Sequence, residues 1–374
     1  MNFDTFSFHP QINAGISAAG YYNPTPIQLR AIPPILDGRD VLGLAQTGTG
    51  KTAAFVLPIL QRLLNGARGR PRVLIISPTR ELAEQTHTFI TALGRQTGLR
   101  SLTIYGGVGV QPQIKGLRAG AEIVVACPGR LLDLMGQRVV NLSSVEILVL
   151  DEADQMFDMG FLPAIRRILA ALPIKRQTLL FSATMPKEIR SLANEFLRHP
   201  MTVELGSSRP VETVGHAVYP VEQTGKVELL LAILRQSGRG KVLVFTRTKH
   251  RAKKLAGQLI KAGLSAASLQ GNLSQNQRQE AMDNFRSGRV KVLVATDIAA
   301  RGIDVSRISH VINYDMPDTA IAYTHRIGRT GRMAKLGTAL SLATQDDLPM
   351  IRTIEQLLGR SLERRRLAGF DTRS

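Results

Sequence analysis

Ala45-Gln46-Thr47-Gly48-Thr49-Gly50-Lys51-Thr52 follows the apolar run Val41-Leu42-Gly43-Leu44 and opens onto a helix-compatible stretch. A strand, a glycine-rich turn and a helix start, in that order, form a nest of converging backbone N–H groups suited to phosphate. Lys51 would set its ammonium at the β- and γ-phosphates, and the Thr52 hydroxyl would reach Mg²⁺. The first position is Ala45 rather than glycine, so the turn needs no positive φ there. The segment points to a nucleoside triphosphate.

A second anchor, Asp151-Glu152-Ala153-Asp154, comes directly after Val145-Glu146-Ile147-Leu148-Val149-Leu150. That run has the composition of a parallel strand buried on both faces, and ligands bind beyond the C-terminal ends of such strands. Asp151 is then expected to hold the Mg²⁺ shell, and Glu152 to position or deprotonate an attacking water.

From Val41 to Ser182 the pattern repeats as apolar strand, turn and amphipathic helix. Strands are expected at 41–45, 73–77, 101–105, 122–126, 147–150 and 178–181. Pro58 is expected to bend or shorten the helix after Lys51. Around Gly206-Ser207-Ser208-Arg209-Pro210 the pattern breaks, and a second series follows with strands at 242–245, 266–269, 290–294, 311–314 and 338–342. Right-handed crossovers make each half an open, mostly parallel sheet flanked by helices. The expected organisation is an N-terminal domain over 1–206, a linker over 207–215, a second domain over 216–358 and a short basic tail over 359–374. The second half has no Gly-Lys-Thr of its own, so it must serve the first half's nucleotide or bind the same polymer.

Tyr323-Thr324-His325-Arg326-Ile327-Gly328-Arg329-Thr330-Gly331-Arg332 suits that task. Arg326, Arg329 and Arg332 recur every three residues, although two glycines argue against an unbroken helix. An arginine supplied by one half to a γ-phosphate held by the other stabilises the transferring charge. Arg301 and Asp304 form a further polar pair beyond the run ending at Thr296.

The 374 residues suit two domains rather than one core. No apolar stretch reaches about eighteen residues, so no membrane span is expected. The start, Met1-Asn2-Phe3-Asp4, lacks the features of a secretory signal. The single cysteine, Cys127, excludes an internal disulfide and favours a reducing cytoplasm. The 48 Lys and Arg against 29 Asp and Glu give a formal charge of +19, which points to a polyanionic partner. Charge alone does not separate RNA, DNA and anionic lipid.

Taken together, these motifs resemble the DEAD-box ATP-dependent RNA helicases, in their compact bacterial form, from about Phe3 to Leu342. The resemblance implies two tandem RecA-like domains that bind ATP and Mg²⁺. The glutamine motif reads Gly20-Tyr21-Tyr22-Asn23-Pro24-Thr25-Pro26-Ile27-Gln28. It implies that Gln28 reads the adenine edge, with Phe3 and Tyr21 at the aromatic site. Gln46, Thr47, Gly48, Thr49 and Gly50 match the family form of the phosphate loop. For RNA, the implied contacts are Pro78, Thr79, Arg80, Gly106, Gly107, Pro128, Gly129 and Arg130 in the first domain. In the second they are Thr246, Arg247, Gly271, Asn272, Gln275, Arg278 and Thr296. Cys127 stands where many members have threonine, and Asn272 where aspartate is commoner.

Ser182-Ala183-Thr184 resembles the family's coupling motif, expected to bond to Asp154 and to join His325. Asp304 matches the ribose contact, Arg329 and Arg332 the γ-phosphate arginines, and Arg301 and Arg326 supports of a closed state. The implied function is an RNA-dependent ATPase that opens short duplexes or remodels RNA–protein complexes. An ATP-gated RNA clamp or assembly factor with little unwinding would use the same motifs. The expected partners are RNA of little sequence specificity and ribonucleoprotein, RNA-decay or ribosome-assembly factors, with no membrane and a monomeric state.

Overall fold

The computed structural model describes residues 2–46, 48–205, 214–236, 240–300, 308–330 and 337–367. The chain divides into two compact units, Met1–Gly206 and Ser207–Ser374. The first is built on seven parallel strands: β1 (Val41–Leu44), β2 (Val73–Ile76), β3 (Ser101–Ile104), β4 (Ile123–Ala126), β5 (Ile147–Leu150), β6 (Gln177–Ser182) and β7 (Met201–Glu204). They lie in the order β3-β4-β2-β5-β6-β1-β7. All residues of β2, β4, β5 and β6 are buried, because helices cover both faces. Each fully buried Leu or Ile in them contributes roughly 1.5–3 kcal/mol relative to exposure.

The second unit repeats the plan with β8 (Val214–Pro220), β9 (Lys241–Phe245), β10 (Ala266–Leu269), β11 (Val292–Ala295), β12 (Ile308–Asn313), β13 (Gly337–Ala343) and β14 (Glu363–Arg364). Their order is β10-β11-β9-β12-β13-β8-β14. Shifting each label by seven reproduces the first sheet. In both sheets a reversal of strand order falls beside the central strands, and in open parallel sheets the loops beyond the C-terminal ends at such a point are where ligands are expected.

Three sequence expectations change. Val214 and Gly215, assigned to the connector, are the first residues of β8, which lies between β13 and β14. The tail is not wholly outside the sheet, since Glu363 and Arg364 pair with Ala217 and Val218. The helix beginning at Lys51 does not end early at Pro58 but runs to Leu63. Pro58 is buried there between Leu57 and Ile59, and packing of that face outweighs the one backbone bond a proline removes. Among the described residues, no helix is long and apolar enough to cross a membrane.

Candidate nucleotide and nucleic-acid sites

In the first unit, the nucleotide motifs leave the ends of β1, β5 and β6. Beyond β1, Gly48 and Gly50 take φ of 87° and 96°, conformations that favour glycine, and Gly50 caps the helix Lys51–Leu63. A Cβ on Gly50 would lie 2.6 Å from Gln28 Nε2 and 2.9 Å from Thr25 Oγ1, so the cradle has no room for one. Lys51 is only 5% exposed. Its ammonium donates to the Ala45 carbonyl at 2.8 Å and pairs with Glu152 Oε1 at 3.0 Å. Burial would lower its pKa, but the carboxylates of Glu152, Asp151 and Asp154 together raise it above the usual lysine value. The lysine is therefore held charged.

Asp151 follows the last residue of β5, and its amide donates to the Ile76 carbonyl. Burial, then the neighbouring Glu152 charge, push its carboxyl up to about 7. Glu152 sits in the left-handed region at φ 54°, ψ 54°, which costs a non-glycine residue on the order of 1–3 kcal/mol. The turn aims its carboxylate back at Lys51, and Gln155 Nε2 steadies the other oxygen at 3.1 Å. Asp154 faces the end of β6. Its Oδ2 accepts from the Ala183 and Thr184 amides and from Thr184 Oγ1 at 3.2, 2.9 and 3.0 Å. Ser182 Oγ accepts from the Asp154 amide at 3.2 Å and donates to the Thr184 carbonyl at 2.7 Å. The loop after β6 is thus tied to the acidic turn after β5 within this unit.

One carboxylate and one hydroxyl beside an oxyanion cradle match the way Mg²⁺ is held, with phosphates and water completing the shell. Asp151 and Thr52 would supply that donor set. A carboxyl raised by burial and a neighbouring charge is a site where a divalent cation relieves repulsion. Among the described residues there is no cluster of three or more His, Cys, Asp and Glu arranged for an all-protein metal site.

Gln28 is 1% exposed, with its Oε1 accepting the Thr25 amide at 2.9 Å and its Nε2 donating to the Gly50 carbonyl at 3.1 Å. It stitches the glutamine motif to the phosphate loop, leaving one N–H and one lone pair for another partner. Phe3 is buried, edge-on to Tyr21 at 6.3 Å, and Tyr21 meets Phe89 at 5.9 Å.

The segments expected to meet RNA leave a different set of strands. Pro78 to Arg80 follow β2, Gly106 and Gly107 follow β3, and Pro128 to Arg130 follow β4. These are neighbours at one side of the sheet. Thr79 Oγ1 caps the helix Arg80–Leu93 through the Leu82 amide at 3.3 Å. Arg80 lies over Tyr105 at 6.0 Å, close against Gly107, where a Cβ would meet its guanidinium. Arg130 donates to the Val108 carbonyl at 3.4 Å. Cys127 caps the helix Pro128–Gly136, and burial, then the Glu81 charge, push its thiol up to about 12, so it stays protonated at neutral pH.

The second unit has the same partition. Thr246 and Arg247 follow β9, Gly271 and Asn272 follow β10, and Thr296 follows β11. Gln275 and Arg278 lie on the helix Gln275–Ser287, capped by Ser274. Arg326 is on the last turn of the helix Ala320–Ile327, which ends at Gly328, so Arg329 lies beyond it and is 5% exposed. Arg326, expected to support a closed state, is engaged inside its own unit. It donates to both Asp297 oxygens at 2.6 Å, to Asn313 Oδ1 at 2.9 Å and to the Asp315 carbonyl at 2.7 Å. Thr47, Arg301, Asp304 and Arg332 lie outside the described residues.

Sequence reasoning passed over Gln155, Asp297, Asn313 and Asp315. For Asp315 a signal was present: it is a carboxylate two residues beyond the end of β12, much as Asp151 follows β5.

Residues 25–192 match the family described as DEAD/DEAH box helicase, and 225–334 match the helicase conserved C-terminal domain. The RNA helicase CrhR of Synechocystis is 43% identical over 92% of this chain and 70% of its own length. The ATP-dependent RNA helicase RhlB of Pseudomonas aeruginosa is 42% identical over 96% of this chain and 93% of its own. The Saccharomyces cerevisiae Dbp5 structure bound to RNA and ADP BeF3 superposes with a TM-score of 0.89 at 32% identity, covering 97% of this chain and 95% of that one. Among longer relatives, the chain spans 61%, 60% and 44% of their length. The chain belongs to the DEAD-box RNA helicase family, and its two sheets are the tandem RecA-like domains of that family.

Proposed function

We propose that this protein is an RNA-stimulated ATPase that separates short RNA duplexes locally or remodels RNA–protein complexes. The observation that carries the reading is the meeting of Lys51, Asp151 and Glu152 at a glycine cradle, with Asp154 tying that acidic turn to the loop after β6. Lys51 binds the β- and γ-phosphates, and Glu152 orients the attacking water and draws its proton. When bound, Mg²⁺ at Thr52 and Asp151 supplies charge neutralisation between phosphates. Arg329 stabilises charge on the transferring phosphoryl group during turnover. ATP is the substrate because a buried glutamine amide, which both donates and accepts, suits the adenine edge. The loops after β2, β3, β4, β9, β10 and β11 offer amides, hydroxyls and arginines that suit a phosphate–sugar backbone without reading bases.

Family relatives named as RNA helicases and a neighbour solved with RNA support RNA as the polymer. Steady-state phosphate release with ATP, with and without RNA, tests the reading, and DNA of equal length serves as the control. Stimulation by RNA alone is expected, because 2′-hydroxyl contacts vanish in DNA. Equal rates in all three conditions would exclude it. Release of a short labelled duplex in the same reaction separates strand opening from clamping.

A further inference from the structure

Asp315 lies just beyond β12, 3% exposed, between two functional segments that are far apart in sequence. Its Oδ2 accepts the Arg247 amide at 2.9 Å, and its Oδ1 accepts Arg251 Nη1 at 2.6 Å. Its own backbone carbonyl accepts Arg326 Nη1 at 2.7 Å. Arg326 is held on its other sides by Asp297 and Asn313, with its guanidinium 4.9 Å from the centre of the Phe245 ring. A guanidinium with that many directed bonds has one accessible position. It ends a helix turn whose next cation is Arg329, and the Arg329 amide donates to the Arg326 carbonyl at 3.2 Å.

The chain of contacts therefore runs from the Arg247 backbone through one residue, Asp315, to Arg326 and Arg329. Asn313 extends it sideways, donating to Ser341 Oγ at 3.1 Å. A shift of the Arg247 peptide either drags Asp315, and with it Arg326, or leaves buried donors unpaired. Breaking such bonds is the costlier alternative, so the two ends move as one.

We propose that Asp315 is a positioning residue that couples engagement of RNA at the Thr246–Arg247 loop to placement of Arg329 for phosphoryl transfer. The proposal rests on the reading of this protein as an RNA-stimulated ATPase and names the device that carries the stimulation through the second unit. Asp315 touches neither RNA nor nucleotide in this scheme. Its effect falls on turnover rather than on affinity.

The test is Asp315→Asn in the full chain, with phosphate release followed across concentrations of a uridine 25-mer. Asn preserves the volume but turns an amide N–H₂ toward the Arg247 or Arg251 donor. The ratio of RNA-saturated to RNA-free turnover is expected to fall about 10-fold or more, with RNA affinity changed by less than about threefold. Arg251→Gln removes the charge partner and leaves the Arg247 and Arg326 bonds in place, so it should hold that ratio within about twofold.

An unchanged ratio in Asp315→Asn, with both rates and the unfolding midpoint lowered together, would reduce Asp315 to a structural role and overturn the proposal. Loss of the ratio in Arg251→Gln to the same degree would do so too, by reducing Asp315 to a counterion. A wild-type protein that RNA does not stimulate overturns the parent reading and this proposal with it. Should Asp315→Asn not fold, hydrogen exchange on the wild type decides. RNA without nucleotide must then alter exchange at 246–252 and at 320–330 together, and a change confined to 246–252 overturns the coupling.

Discussion

Lys51 and Lys226 occupy the same place in the two units. Each is the first residue of the helix that follows its unit's penultimate strand in spatial order, β1 or β8, and each follows Thr-Gly. Thr49-Gly50-Lys51 opens onto a cradle, with Gly50 at φ 96° and three carboxylates near the ammonium. In Thr224-Gly225-Lys226 the glycine is not in the positive-φ region. The Lys226 ammonium, 2% exposed, is turned inward to the Tyr314 carbonyl at 3.0 Å, with Asp347 at 3.9 Å. Burial lowers the Lys226 pKa, against attraction from Asp347 and Asp315, whereas the carboxylates around Lys51 raise its value. Asp151 and Asp315 form a similar pair beyond β5 and β12. One fold, used twice, sets its lysine behind positive-φ glycines and among carboxylates in the first unit, the place proposed for phosphate, and turns it onto a backbone carbonyl in the second. A lysine after a strand is thus not a phosphate site by itself; the glycine conformations before it decide.

The sharpest break in the comparison would be at Arg329, which the second unit is proposed to lend to the chemistry it cannot perform. Arg329→Ala should lower RNA-saturated turnover by about 10³-fold or more while ATP still binds. Normal phosphate release by that variant would remove the arginine's role. Next in size, Lys51→Ala should lower turnover by about 10²–10³-fold and weaken nucleotide binding as well. Lys226→Met should leave nucleotide affinity intact and show only in a urea titration, at roughly 1–3 kcal/mol, because it strands the Tyr314 carbonyl. If fluorescent-nucleotide binding suffers equally in both variants, the two lysines are not divided in role.

Acid should separate the units further. His216 in β8 is held down to about 4, against an ordinary 6.5, first by burial and then by the charge of Arg360. The unfolded chain takes up that proton at a pH where the folded unit resists it. The stability it confers is therefore full above about pH 6.5 and declines as pH falls toward 4, by about 3 kcal/mol in all. Denaturant midpoints measured over that window should drop, and His216→Phe should flatten the drop. An identical slope in the variant would place the acid sensitivity elsewhere.

The smallest effect is expected at the tail. Arg364 is paired with Glu355 at 2.9 Å and Arg365 with Glu363 at 2.6 Å, so the triplet Arg364–Arg366 is partly neutralised. Replacing all three by Ala should weaken every RNA alike and change the salt slope by less than about one. A loss confined to one RNA sequence would contradict this.

Much of the fold was legible because central parallel strands announce themselves as unbroken apolar runs, as in Val73–Ile76 and Ile147–Leu150. The strands at one edge of each sheet, β7 and β14, do not. In β7 only Val203 is buried, and both residues of β14 are exposed, so neither carries a periodic signal. Their pairing is decided by the neighbouring strand, not by local sequence. Lys51 was legible as a candidate because it follows a glycine turn, and Asp151 and Glu152 because they directly follow the apolar run of β5. The Asp315 network was not, because its value comes from joining Arg247, Arg251 and Arg326, whose separations in sequence say nothing of contact. Gln28 was legible as a motif residue, but its bond to the Gly50 carbonyl was not, for the same reason.

The two-residue strand β14 has a consequence for how the molecule can be held. At about 4.8 Å per strand, it lies roughly 19 Å from β9 and roughly 29 Å from β10, the strands that carry the loops proposed for RNA. A segment joined after Arg364, or a protein grasping it there, hangs from the far rim of the sheet. β7 gives the first unit the same geometry. Each sheet thus has a rim, at β14 or β7, on the side away from the strands that carry the loops proposed for RNA, so a tether at that rim would leave those loops accessible.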